Sequence, residues 1–198
     1  MAANTYLTPE ERTLLESVRV GIAGAGGLGS NCAMHLVRAG VKHLTIVDFD
    51  VVNESNLNRQ FFFRDQLGQK KVVALKDNLL RIEPDADIRA VDMRLDASSA
   101  REIFADCGIV VEAFDAVDAK VMLVSAFASS GKKLITASGL AGWGRSNAMK
   151  VRKMGNIVAI GDGETSVGKG VAPASPRVGI AAAMQANSVV AMLLEKEL

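Results

Sequence analysis

The residues able to do chemistry fall into three nearby groups. Gly24-Ala25-Gly26-Gly27-Leu28-Gly29 has the G-x-G-x-x-G spacing of a phosphate-binding turn. Gly24 permits a sharp turn, Gly26 lets phosphate approach backbone N–H groups, and Gly29 lets the following helix pack closely on the preceding strand. About 20 residues further on stands Asp48, where a carboxylate accepts hydrogen bonds from ribose hydroxyls. Asp50, Asn56, Arg59 and Gln60 follow directly. Arginine offers fixed planar donors to phosphate oxygens, whereas the amides can orient a base, a phosphate or the arginine itself. Asp50 can touch ligand or orient Arg59. The first two groups suit a dinucleotide, ATP or S-adenosylmethionine equally; a dehydrogenase has no need of the third.

The elements that position these groups follow from hydrophobic patterning. Val18 to Ala23 is an apolar run ending at the glycines, and Asn31 to Ala39 continues as a helix closed by Gly40. Leu44 to Val47 is the next strand, so Asp48 emerges at its carboxyl end, where open α/β sheets bind ligands. Further strands are expected near 88–92, 109–114 and 133–138, with helices between them. Lys71 begins a helix with Val72, Leu75, Leu79 and Ile82 at helical spacing. Thr8-Pro9-Glu10-Glu11 has the capping-box pattern, predicting a helix from Pro9 to Ser17. Ser146 to Lys153 and Asn156 to Ile160 suggest a hairpin. The expected fold is a single α/β domain over residues 1–198: a Rossmann-like, mostly parallel sheet flanked by helices and extended by antiparallel strands in the C-terminal third.

Gly24 to Ser30, Asp48 to Gln60 and Gly68-Gln69-Lys70-Lys71, in that order, resemble the ubiquitin-activating-enzyme-like adenylating family. The chain length, Val47 to Val52 and Pro176 to Ala183 look most like its short thiamine-pathway members, which adenylate a small sulfur-carrier protein. The resemblance implies that Gly24, Gly26, Gly27, Leu28, Gly29, Asp48, Asp50, Asn56, Arg59, Gln60 and Lys71 bind ATP. It implies that Asp115 binds Mg²⁺, and that Arg59, Lys71 and Asp115 serve catalysis. Asp115 follows an apolar strand, so it reaches the same rim as Asp48, and a hard carboxylate there suits Mg²⁺ against phosphate oxygens. The family often also supplies an arginine from a partner subunit's N-terminal region. Arg12 is the candidate here, although its neighbours match poorly, and a homodimer is implied with it.

Only Cys32 and Cys107 occur, so a four-cysteine zinc site, present in many relatives, has no ligands and no zinc is expected. No cysteine follows Cys107 to carry a thioester, which leaves sulfur transfer to another protein. Both cysteines read as small packing residues. The expected partner is a small ubiquitin-like sulfur carrier. A formal charge of +1 and the lack of a basic run argue against nucleic acid, and Ile180 to Leu194 is short for a membrane span. No secretion signal opens the chain, so a cytoplasmic enzyme is expected. Gly163 to Gly170 nearly matches a P-loop, but Gly170 replaces the final Ser or Thr, and Gly170, Pro173 and Pro176 oppose an immediate long helix. Gly161 to Pro176 reads either as a mobile cover over the site or as a flexible surface loop. The competing readings are an NAD(P)-dependent oxidoreductase, whose candidate proton carriers His35, His43 and Tyr6 sit in unsuitable places, and a noncatalytic partner that has kept the fold.

Overall fold

The computed structural model describes residues 6–168 and 171–198. A helix α1 (Pro9–Ser17) leads into strand β1 (Arg19–Ala23), helix α2 (Gly27–Ala39) and strand β2 (His43–Asp48). Helix α3 (Lys71–Leu80), β3 (Asp87–Asp92), α4 (Ala97–Ile103), β4 (Ile109–Glu112), α5 (Val117–Phe127) and β5 (Lys133–Ala137) continue the alternation. The hairpin β6 (Lys150–Met154) and β7 (Ile157–Gly161) precedes the final helix α6 (Ser175–Leu193). The sheet order is β3-β2-β1-β4-β5-β7-β6. The hairpin strands oppose each other, yet β7 lies beside β5 and runs parallel to it, so β6 alone reverses direction at the edge.

Strands buried on both faces read as continuous apolar runs, as β1 does from Val20 to Ala23 and β4 from Ile109 to Val111. On one face Ile22, Ile46 and Val111 pack beneath α2, α3 and α6. On the other, Ala23, Val110 and Leu134 meet Phe104 and the α5 residues Leu123 and Phe127. Gly21 makes room for Phe104, since a Cβ there would lie 2.5 Å from that ring.

Local signals set the helix ends. Thr8 Oγ1 accepts from Glu11 N at 3.1 Å and a Glu11 carboxylate oxygen accepts from Thr8 N at 3.1 Å, closing the capping box. Gly40 ends α2 in the left-handed conformation at φ 106°. Pro176 does not delay α6: it occupies the first helical turn, where its missing N–H forfeits no hydrogen bond. The near-P-loop segment is not followed directly by a helix, which begins at Ser175; Lys169 and Gly170 lie outside the described residues.

The tightest packing joins α2 to β1. A Cβ on Gly29 would lie 1.8 Å from the Gly24 carbonyl oxygen, an approach only glycine permits. Gly29→Ala is therefore expected to destabilise the fold by about 2 kcal/mol or more, as overpacking does, read as a lowered urea midpoint with an unchanged slope.

Candidate functional site

The glycine turn leaves the carboxyl end of β1 with Gly24 at φ 105°, pressed against the backbone of Ala113. Helix α2 starts at Gly27, earlier than Asn31, so its first unpaired amides open at the sheet edge. Asp48 ends β2 and braces the turn: one carboxylate oxygen accepts from Ala25 N at 2.7 Å and the other from Asp50 N at 2.8 Å.

Arg59 and Gln60 lie over this turn. A Cβ built on Gly27 would meet Arg59 Cγ at 3.5 Å, and one on Gly26 would meet Gln60 Nε2 at 3.9 Å. Gln60 is buried with its Oε1 unpartnered. Asn56, also buried, caps its own short turn by accepting from Asn53 N at 3.0 Å. The Arg59 guanidinium reaches Ser55 O at 3.2 Å and Asn58 Oδ1 at 2.8 Å. Asp50 therefore does not orient Arg59. It pairs instead with Lys71 Nζ at 2.8 Å, because the Lys71 side chain is nearly buried at the start of α3 and needs a carboxylate, while Arg59 is satisfied by acceptors on its own loop.

Two residues that the motif reading passed over tie this loop down. Asn31 Nδ2 donates to Gly27 O at 2.7 Å and to Arg59 O at 2.8 Å, and Ser30 Oγ accepts from Phe61 N at 3.0 Å. Their signal was positional: two polar residues directly after Gly29, on the turn of α2 that must be buried.

Asp115 stands just beyond β4, exposed and without a hydrogen-bonding or ionic partner among the described residues. Beneath it, Glu112 is fully buried and fully engaged. Its carboxylate accepts from Phe114 N at 2.7 Å, Thr136 Oγ1 at 2.5 Å and Lys120 Nζ at 2.9 and 3.0 Å. Lys120 Nζ also donates to Ala137 O at 3.0 Å, and Gln185 Nε2 donates to Glu112 O at 2.9 Å. An acid inside the apolar run Val110-Val111-Glu112-Ala113 was the legible sign of a buried partner.

Among the described residues no cluster of three or more His, Cys, Asp or Glu is arranged to hold a metal. The Asp115 carboxylate, with no partner among the described residues, is a hard oxygen donor that would suit Mg²⁺, an ion that keeps water and phosphate oxygens as its other ligands. Both cysteines are buried; burial pushes the Cys107 thiol up to about 11 and Cys32 higher still. Among the described residues no helix is long and apolar enough to cross a membrane.

The C-terminal third contributes an ion pair to the loops after β5 and β7. Arg177, on the first turn of α6, meets Asp162 at 2.7 Å and donates to Gly144 O at 2.9 Å, and both side chains are buried. The next residue, Val178, lies against Gly27, where a Cβ would approach it to 2.9 Å. Asp162 also accepts from the backbone N–H groups of Glu164 and Thr165, each at 2.8 Å, which fixes the start of the expected cover loop.

Fold and site together define a Rossmann-type α/β protein whose bared helix N-terminus lies with Asp48, Asp50, Arg59, Lys71 and Asp115 at the carboxyl edge of its sheet. The chain belongs to the ThiF family, whose model matches residues 3–198. It is 37% identical over 127 residues to an adenylyltransferase and sulfurtransferase UBA4 from Eremothecium gossypii, covering 64% of this chain and 29% of that protein. It is 38% identical over 115 residues to a molybdopterin-synthase adenylyltransferase from Salmonella typhimurium, covering 58% and 46%. The chain thus spans less than half the length of either relative. In fold it matches the Escherichia coli tRNA N6-threonylcarbamoyladenosine dehydratase TcdA in complex with ATP, with a TM-score of 0.87, 19% identity, and coverage of 94% of this chain and 90% of that one.

The Asp162–Arg177 pair has a pH signature. Burial would raise the Asp162 pKa, but the Thr165 and Glu164 amides, the Thr165 hydroxyl and Arg177 outweigh it and lower it to about 2. A depressed folded-state pKa stabilises fully above the unfolded value near 4, and that stabilisation fades as pH falls toward 2. Asp162→Asn is expected to remove about 2 kcal/mol of this pH dependence. Urea unfolding of both proteins between pH 5 and pH 2 measures it; parallel curves would refute it.

Proposed function

We propose that this chain is an ATP-dependent adenylyltransferase that activates the C-terminal carboxylate of a small ubiquitin-like sulfur-carrier protein in the cytoplasm. The observation carrying this reading is the packing of Arg59 and Gln60 onto the bared glycine turn, with Lys71 held by Asp50, whose own N–H is held by Asp48, on the same edge. The names of the matched relatives, adenylyltransferases in both cases, support it.

In this reading the amides of Gly26 to Gly29 and the N-terminus of α2 receive phosphate oxygens, and Asp48 accepts from the ribose hydroxyls. Asn56, Arg59 and Gln60 line the triphosphate. The carrier's ionised carboxylate oxygen attacks the α-phosphorus, the bond to the bridging oxygen breaks, and pyrophosphate leaves with that electron pair. No general base is needed. The protein's task is to bring two anions together, by positioning and by charge. Lys71 is fixed by Asp50 and Arg59 by Ser55 and Asn58, so neither must be ordered when substrate arrives. Mg²⁺ held by Asp115 would neutralise phosphate oxygens. Arg12, on α1, is the candidate to act across a homodimer.

An oxidoreductase is less well served. His43 begins β2 at the opposite edge of the sheet, and His35 lies on α2. The thiamine-pathway carrier is the first candidate, on the resemblance of residues 47–52 and 176–183; the molybdopterin carrier competes through the Salmonella relative.

Carrier-dependent exchange of labelled pyrophosphate into ATP, run with each candidate carrier, tests the reading, and no exchange with any would overturn it. Arg59→Ala and Lys71→Ala should each slow exchange roughly 10² to 10³-fold, and normal exchange in both removes those roles.

A further inference from the structure

We infer that Glu112 and Lys120 form a buried strut that aims Asp115 at the metal–nucleotide, and that they are positioning residues of the site. This rests on the reading of Asp115 as the Mg²⁺ ligand. A fully buried carboxylate paired with a mostly buried ammonium is costly to desolvate, and such pairs add little net stability over apolar residues of similar volume. The pair's geometry explains what it does. Glu112 accepts the N–H of Phe114, the residue just before Asp115, so its carboxylate sets the backbone direction at the point where Asp115 leaves β4. Lys120 reaches back from α5 to the same carboxylate and onward to Ala137 O, and Thr136 closes the group from β5.

The turn 113–116 is thereby gripped at three places: the end of β4, the first turns of α5 and the end of β5. Gly24 presses on it from the phosphate side, where a Cβ would lie 2.9 Å from Ala113 O. Among the described residues Asp115 has no partner that could hold its side chain in place. Its aim depends on the backbone beneath it, and that backbone depends on Glu112.

The test measures metal–nucleotide binding without a carrier: Mn²⁺·ATP affinity by electron paramagnetic resonance, beside ATP affinity in EDTA and circular dichroism. In Glu112→Leu/Lys120→Met both charges go together, so neither is left alone in the interior. Glu112→Asp keeps the charge but draws the carboxylate one methylene away from the Phe114 amide. Both variants should bind Mn²⁺·ATP about tenfold more weakly (~1.4 kcal/mol) while metal-free ATP affinity holds, and Lys120→Arg should remain near wild type. Asp115→Asn is the reference. If it weakens Mn²⁺·ATP while the folded strut variants do not, the strut is overturned and the metal reading stands. If Asp115→Asn also binds normally, the metal reading falls and the inference with it. Equal loss of metal-free and metal-bound affinity would mark a merely structural role and overturn the strut.

Discussion

The approach of Gly29 to the Gly24 carbonyl is the contact on which the site depends. Helix α2 can begin at the sheet edge only because position 29 carries no side chain. That start aims the first amides of α2 outward. It also places Ser30 and Asn31 on the inward side of the first turn, where they take hold of Phe61 and Arg59. From the other side Val178 closes on Gly27, bringing α6 and the loops it anchors to the same turn. Three segments distant in the chain are registered by one steric fact, and a displaced α2 would move all of them.

Much of this was legible because its determinants are local. The glycine turn, the Thr8 capping box and the apolar runs of β1, β2 and β4 each depend on residues within a few positions of one another, whereas the bracing of that turn by Asp48 spans 23 residues and was not foreseen. The partner of Asp50 was not legible. Arg59 and Lys71 are both cations placed after the same strand, and the choice turns on burial: a nearly buried ammonium must take a carboxylate, whereas an arginine on a polar loop finds its acceptors there. The direction of β7 was hidden for a related reason. A hairpin fixes its two strands relative to each other, not which of them the parallel sheet will accept. The Glu112 strut joins β4, α5 and β5, so spacing along any one element could not reveal it.

Charge balance at the edge bears on the proposed chemistry. Arg59, Lys71, Asp48, Asp50 and Asp115 together carry one net negative charge, and Lys71 is already committed to Asp50. Such an edge does not attract a triphosphate by bulk charge. What it offers is arrangement: fixed amides with the positive end of the α2 dipole, and cations whose orientation is set beforehand. In adenylation a carboxylate must also approach phosphorus, adding an anion to a site already short of positive charge. Two cations held by protein acceptors do not make up that deficit. In the proposed reaction further positive charge would come with the nucleotide as a divalent ion, beside any contribution of Arg12 across the proposed homodimer, and the Asp115 carboxylate, which has no partner among the described residues, would hold that ion.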